Sequence, residues 1–306
     1  MSTITEIKNH LLSSLDILLL PAEAKDSLIL SIDRVAECEY AAEQLCSLYL
    51  LYESADTYDY KSAFDKMKEL SEITALDAKV CNALLLTSML PAMGRRYKAD
   101  GIAEEIFYAT AQDVYYKLDE CHSVYGVWGV TDPCAYGWYP SVFSLKVLAI
   151  GRLQYEYRRL GYSCECDGVA LTENTMVLNI HIPRTKTPLD RASVLSSYER
   201  AAKYFAPRFP GGDVVFHCKS WLLFPRHLEF LSPTSNLRAF YGDFKIVEWG
   251  EYPDYSQLWR LFDCEYTGDP AALPRDSSLR RAYADLVEKG EKTGWGRGVF
   301  IYKSEQ

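Results

Sequence analysis

The chain has 306 residues, 48% apolar and 25% charged, with a net charge of −9. That is the make-up of a globular protein long enough for two domains, and no apolar run approaches the roughly 18–20 residues that span a bilayer. Residues 1–125 carry 11 Lys+Arg against 21 Asp+Glu, net −10, and the remainder 22 against 21, net +1, so the first part offers no basic face for nucleic acid.

Apolar residues recur at helical spacing over Ile4–Leu20, Ala22–Ala36, Ala41–Tyr52, Ser62–Ile73, Asp77–Leu90 and Ile102–Leu118, which predicts a helical bundle over residues 1–125. Asp59, Asp77 and Asp100 are placed to cap helix starts, and Pro21 and Pro91 to end helices. The opening residues interrupt their apolar run with Glu6, Lys8 and Asp16, the pattern of a helix and not of a secretory leader. Residues 126–141, rich in Gly, Pro and aromatics, read as a packed connector.

From residue 142 the pattern changes. Strands are predicted around Arg152–Tyr157, at Val169–Leu171 and at Met176–Ile182, then a helix to Phe205, a turn at Pro210-Gly211-Gly212 and a strand Val214–Phe224. A broken helix over Pro225–Tyr241, a strand Phe244–Trp249, a helix Ser277–Lys289 and a last strand Gly298–Tyr302 complete the chain. The expectation is an α+β protein with about seven strands in residues 142–306.

Nine cysteines are scattered with no CxxC pair. An odd count without spacing fits reduced thiols and a cytoplasmic location. Cys164 and Cys166 form CxC with no second pair, so no metal is expected.

The unit MVLNIHIPRTKTPLDRASVLSSYERAAKYF, residues 176–205, is a strand, a polar loop and an amphipathic helix. Such a unit can present a helix N-terminus to a phosphate. Alternatively, Thr187, Pro188 and Asp190 simply cap the helix.

IGRLQYEY at 150–157, IHIP with PLDRASVLSSYERAAKYF at 180–205, CKSWLLFP at 218–225 and SNLRAFYGDFKI at 235–246 resemble a bacterial two-domain N-acyltransferase family. That family joins a helical N-terminal domain to a GNAT-like C-terminal acyltransferase domain with a mixed β-sheet flanked by helices. The resemblance covers most of the chain. It implies acyl-CoA, acetyl-CoA or longer, as co-substrate, and a small-molecule or peptide amine as acceptor; from charge and hydropathy, no nucleic acid or membrane partner is expected. The resemblance places the pyrophosphate on the loop from Ile182 through Arg184, Thr185, Lys186 and Thr187, with Asn236 as a further cofactor contact. The loop departs from the family pattern, for it contains no glycine, and Asp190 brings a carboxylate.

Amine acylation needs a base for the amine and an acid for the leaving thiolate. Tyr241 is the acid suggested by the resemblance; as a bare residue it is equally a helix-ending tyrosine before Gly242. His181 shares a strand face with Val177 and Asn179, and its reference pKa of about 6.5 suits a base; the plain alternative is a half-exposed histidine bonded to backbone. Glu156 is a second base, or one half of a structural pair with Arg152. His217 and Cys218 are adjacent on one strand and so point to opposite faces, which argues against a Cys–His nucleophile. The competing function is a non-catalytic acyl-CoA or metabolite-binding module on the same fold.

Overall fold

A computed structural model describes residues 3–55 and 57–303. The chain forms one compact unit up to Leu148 and a second from Ala149 onward.

The first unit is helical: α1 Ile4–Leu15, α2 Ala22–Ala36, α3 Glu39–Ser54, α4 Tyr60–Thr74, α5 Ala78–Ala99, α6 Glu104–Tyr125, α7 Asp132–Gly137 and α8 Tyr139–Phe143. Caps set the starts. Thr3 and Glu6 form a capping box, and the carboxylates of Asp59 and Asp77 accept the amides of Ser62 and Lys79. Asp100 differs from expectation: it stands at the C-terminal end of α5. Pro91 also does not end a helix, because α5 runs through it. Proline removes the N–H that would bond the Thr87 carbonyl. The helix persists because every residue from Val80 to Leu90 is buried, and packing on all sides outweighs a local proline cost of about 3 kcal/mol. Tyr139 in the 126–141 stretch is buried with its hydroxyl on the Asp113 carbonyl at 3.2 Å.

The second unit contains β1 Val147–Ile150, which begins just before the boundary, β2 Leu153–Arg159, β3 Cys164–Cys166, β4 Val169–Leu171, β5 Met176–His181, α9 Arg191–Phe205 and β6 Val214–Ser220. It continues with α10 His227–Phe230, α11 Asn236–Tyr241, β7 Lys245–Glu251, α12 Trp259–Phe262, α13 Ser278–Glu288 and β8 Gly294–Tyr302. Six strands form one mixed sheet in the order β1-β2-β5-β6-β8-β7, and β3 pairs with β4 in a separate hairpin. The α+β expectation holds.

Several strands differ from the sequence reading: β1 and β3 were not predicted, and β2, β5 and β7 have ends shifted by one or two residues. β1 is set apart from β2 at Gly151, whose φ is +71° and where a Cβ would come within 3.2 Å of Ser197 on α9. β6 stops at Ser220 and not Phe224, because the Ser220 hydroxyl caps a 3₁₀ turn over Trp221–Leu223. β8 begins at Gly294, four residues early, since its alternating glycines carry no apolar signal. A Cβ at Gly296 would lie 1.9 Å from the Leu223 carbonyl oxygen, so a close backbone approach requires glycine there.

One sheet face packs on α9. Tyr198 meets the rings of Phe216 and Phe300 at 5.4 and 5.0 Å, and the Ser197 and Tyr155 hydroxyls lie 2.8 Å apart. On the other face Val177, Val215 and Val299 pack with Cys166 and Leu171 of the small hairpin. This second face carries the polar cluster described next.

Candidate functional site

Strand periodicity places Val177, Asn179 and His181 on one face of β5. Antiparallel pairing sets Glu156 opposite Asn179, parallel pairing sets Asn179 opposite His217, and His217 faces Val299 on β8. A polar row therefore crosses three strands. His217 Nδ1 lies 2.7 Å from Asn179 Oδ1. Asn179 Nδ2 lies 3.3 Å from Glu156 Oε2 and 3.0 Å from His181 Nε2, and that nitrogen is 3.3 Å from Glu156 Oε2. Two residues the sequence singled out separately, Glu156 and His181, are thus brought together.

The electrostatics are uneven across the row. The hydrogen bond from His181 holds the Glu156 carboxyl below its usual range against partial burial. Burial pushes the His217 imidazole down to about 3, with Arg158, Arg297 and Lys219 acting in the same direction, so its ring is neutral. The Tyr162 ring stands 5.9 Å from His217 and carries the Arg297 guanidinium 4.6 Å above it. His217 Nε2, the Tyr162 hydroxyl and Arg297 Nε are buried without a hydrogen-bond partner among the described residues.

β5 and β6 are registered at Leu178–Phe216 and Asn179–His217, and His181 lies two residues past that last pair. The strand runs directly into the loop that opens α9. Asp190 caps this helix through the Ser193 amide at 2.9 Å, and that bond lowers its carboxyl. The loop's shape comes from its own hydrogen bonds and from Arg152. The Thr185 amide donates to the Pro183 carbonyl at 2.9 Å, and its hydroxyl to the Thr187 carbonyl at 3.0 Å. Arg152 donates to the carbonyls of Pro183, Thr187 and Pro188 at 3.1, 3.1 and 3.2 Å. It was grouped in sequence with Glu156; the structure instead turns it to the loop, while Glu156 turns to His181 and Asn179.

The other expected cofactor contacts are distributed unevenly. Ile182 follows β5 directly, and Lys186 and Thr187 are exposed in the loop. Arg184 is ion-paired with Asp263 at 2.9 Å, and Arg191 with Asp243 at 2.5 Å. Asn236 is the first residue of α11, behind a Ser235 cap. Tyr241 closes α11 before Gly242, which caps in a right-handed conformation, and burial raises its phenol. The contacts binding Glu156, Asn179, His181 and His217 run along the sheet, whereas Tyr241 stands on a helix. Sequence reasoning missed His217 and Arg152 as parts of the site. The strand register that brings His217 to Asn179 spans 38 residues of sequence and leaves no local mark.

Among the described residues no group of three or more His, Cys, Asp or Glu side chains could hold a metal ion. Two family models match, an N-acyltransferase N-terminal domain over residues 10–145 and a GNAT-like C-terminal domain over residues 147–300. The chain belongs to the two-domain N-acyltransferase family. No curated protein matches it. Solved acyltransferases share the family's fold with it. One in complex with decanoyl-CoA and teicoplanin superposes with a TM-score of 0.68 at 19% identity, over 94% of this chain and 86% of that one. Another, with decanoyl-CoA, gives 0.62 at 19% identity over 98% and 99%. An acyltransferase mutant with octanoyl-CoA gives 0.68 at 19% identity, over 94% of this chain and 86% of that one. At this identity the likeness to these structures is one of fold.

Proposed function

We propose that the protein transfers an acyl group from acyl-CoA to an amine of a small molecule or peptide. The observation that carries this is the Glu156–His181 pair at the end of the β5–β6 pairing, one residue before the loop that opens α9. His181, oriented by Glu156, accepts the proton of the incoming ammonium. The freed amine nitrogen bonds to the thioester carbonyl carbon, the carbon–sulfur bond breaks, the thiolate leaves with a proton that Tyr241 is proposed to supply, and the second proton that the nitrogen sheds as the amide forms restores the phenol. Burial keeps that phenol protonated.

The loop fits an anion through its backbone. A trans peptide points its carbonyl and the next N–H in opposite directions, and the described chain has no cis peptide. With the Pro183 and Pro188 carbonyls turned to Arg152, the N–H groups of Arg184 and Leu189 point away from it. Arg152 thereby does for this glycine-free loop what flexible glycines do elsewhere. Thr185, Thr187 and the exposed Lys186 lie between these amides in the chain, and Ile182 and Asn236 are the further cofactor contacts that the family resemblance suggests. Relatives of the same fold were crystallised with decanoyl- and octanoyl-CoA, which favours a medium-chain donor over acetyl-CoA. One of them also held the glycopeptide teicoplanin, a precedent for a peptide-borne amine. The nine free thiols suit a cytoplasmic setting.

A second reading, a non-catalytic acyl-CoA-binding module, is favoured by the pairing of Arg184 with Asp263 and of Arg191 with Asp243, which neutralises two cations a pyrophosphate would use. Release of free thiol from octanoyl-CoA in the presence of an amine panel separates the two: His181-dependent release supports the transferase, and binding without release supports the module.

A further inference from the structure

The sheet face that carries the polar row turns cationic beyond His217. β6 and β8 set Lys219 directly opposite Arg297, and like charges so placed repel. An aromatic ring serves both. The centre of the Trp295 ring lies 4.0 Å from Lys219 Nζ and 5.8 Å from the Arg297 guanidinium. Gly250 on β7 leaves room for that ring, since a Cβ there would stand 3.2 Å from it. One carboxylate, Glu248, reaches Arg297 at 2.5 Å. No carboxylate reaches the exposed Lys219 among the described residues. Arg297 Nε and the Tyr162 hydroxyl are two further donors, buried and without a hydrogen-bond partner among the described residues. Around Lys219 and Arg297 the face therefore holds more positive charge than it neutralises.

Register fixes where this charge stands relative to His181. β5 and β6 run parallel, and their last registered pair is Asn179–His217. His181 and Lys219 each lie two residues past that pair, on the same face. With strands about 4.8 Å apart, Lys219 is one strand from β5 and Arg297 two. An amine at His181 thus has the cations a few covalent bonds away.

We infer that the acceptor is an amine that also carries a carboxylate, an amino acid or ω-amino acid, and that Lys219 and Arg297 bind that carboxylate. The inference rests on the transferase reading, with the amine at His181. A carboxylate bridging the two cations replaces their repulsion with charge-assisted contacts, whereas a plain amine leaves the surplus charge unmet. The phosphates of acyl-CoA are the other source of an anion. They belong to the loop that opens α9, and α9 packs on the opposite face of the sheet.

The test is calorimetry on the full chain loaded with CoA, using reaction products as probes, so that no turnover is needed. N-octanoylglycine, N-octanoyl-β-alanine and N-octanoyl-γ-aminobutyrate are each compared with the matching carboxamide. At least one acid should bind about tenfold more tightly than its amide. Lys219→Gln should remove most of that preference and Lys219→Glu should invert it; the side chain is exposed, so both variants should fold even if Arg297→Gln does not. Equal binding of acid and amide, or none, at every length would overturn the inference, as would a preference that survives Lys219→Glu. A loss of octanoyl-CoA affinity in Lys219→Gln as large as the loss for the acid would give the cations to the cofactor and overturn it too. Failure of the transferase reading is read separately: octanoyl-CoA would then release no thiol with glycine, β-alanine, γ-aminobutyrate or any other amine, whatever the acid preference found.

Discussion

Glu156 and His181 meet diagonally. The register sets Gln154 opposite His181 and Glu156 opposite Asn179, yet Glu156 Oε2 reaches His181 Nε2 at 3.3 Å. Diagonal neighbours on a sheet face are within reach of long side chains, and Asn179 between them donates to the same carboxylate. The pair is therefore held from two sides.

If this pair is the base, Glu156→Gln should lower kcat/KM by about 10- to 10²-fold and leave the Kd for acyl-CoA near wild type. His181→Gln should remove the acidic limb of the pH profile. Stopped or continuous thiol assays over pH 5.5–9 read both. An unchanged profile in His181→Gln would clear His181.

Arg152→Ala should weaken acyl-CoA binding by about tenfold, because the loop peptides lose the guanidinium that turns their carbonyls. Arg152→Lys should restore little, since one ammonium cannot match a fork that bonds three carbonyls. The readout is the thermal shift with octanoyl-CoA, about 2.7 kcal/mol at a hundredfold excess over Kd for the wild type. Equal shifts in wild type and Arg152→Ala would remove Arg152 from the account. Arg184→Ala with Lys186→Ala is the companion pair and should lower the shift as well; an unchanged shift in the double variant would remove both side chains from the cofactor site.

Much of the helical half was legible because apolar spacing and caps are local signals: α2 was read to its residue, and Asp59 and Asp77 cap as expected. Pro91 was misread because burial around α5 is a tertiary fact. In the second half β5 and α9 stood out, whereas the glycines of β8 hid a strand whose partners lie elsewhere in the chain. Glu156 and His181 could be suspected singly from residue type and strand face. That they meet, and that His217 joins them through Asn179, depends on register between distant strands.

Tyr241→Phe should keep acyl-CoA binding and, if the phenol protonates the leaving thiolate, lower kcat by about 10²-fold. The swap keeps the ring, so Tm should hardly move. An unchanged kcat would leave Tyr241 as the residue that closes α11.

Acid should destabilise the fold through two buried histidines. Burial lowers His217 to about 3 and His227 to about 4, whereas both titrate near ~6.5 in an unfolded chain. On acidification the unfolded state binds these protons first, so the stabilisation is complete above about pH 6.5 and falls towards about pH 4 for His227 and pH 3 for His217. Each ring contributes a slope of up to about 1.4 kcal/mol per pH unit. Tm measured from pH 7.5 to 4.5 should fall, and His217→Asn should flatten the fall; a parallel decline in the variant would remove His217 from it.

The central claim is turnover of an acyl-CoA on this fold. The most direct measurement mixes the full chain with octanoyl-CoA and a panel of primary amines, and follows free thiol together with N-acylated product by mass spectrometry. The account predicts thiol and N-acyl amine formed one for one with at least one amine, and loss of both in His181→Gln. Octanoyl-CoA that stays intact across the panel, or thiol released equally by wild type and His181→Gln, would contradict it.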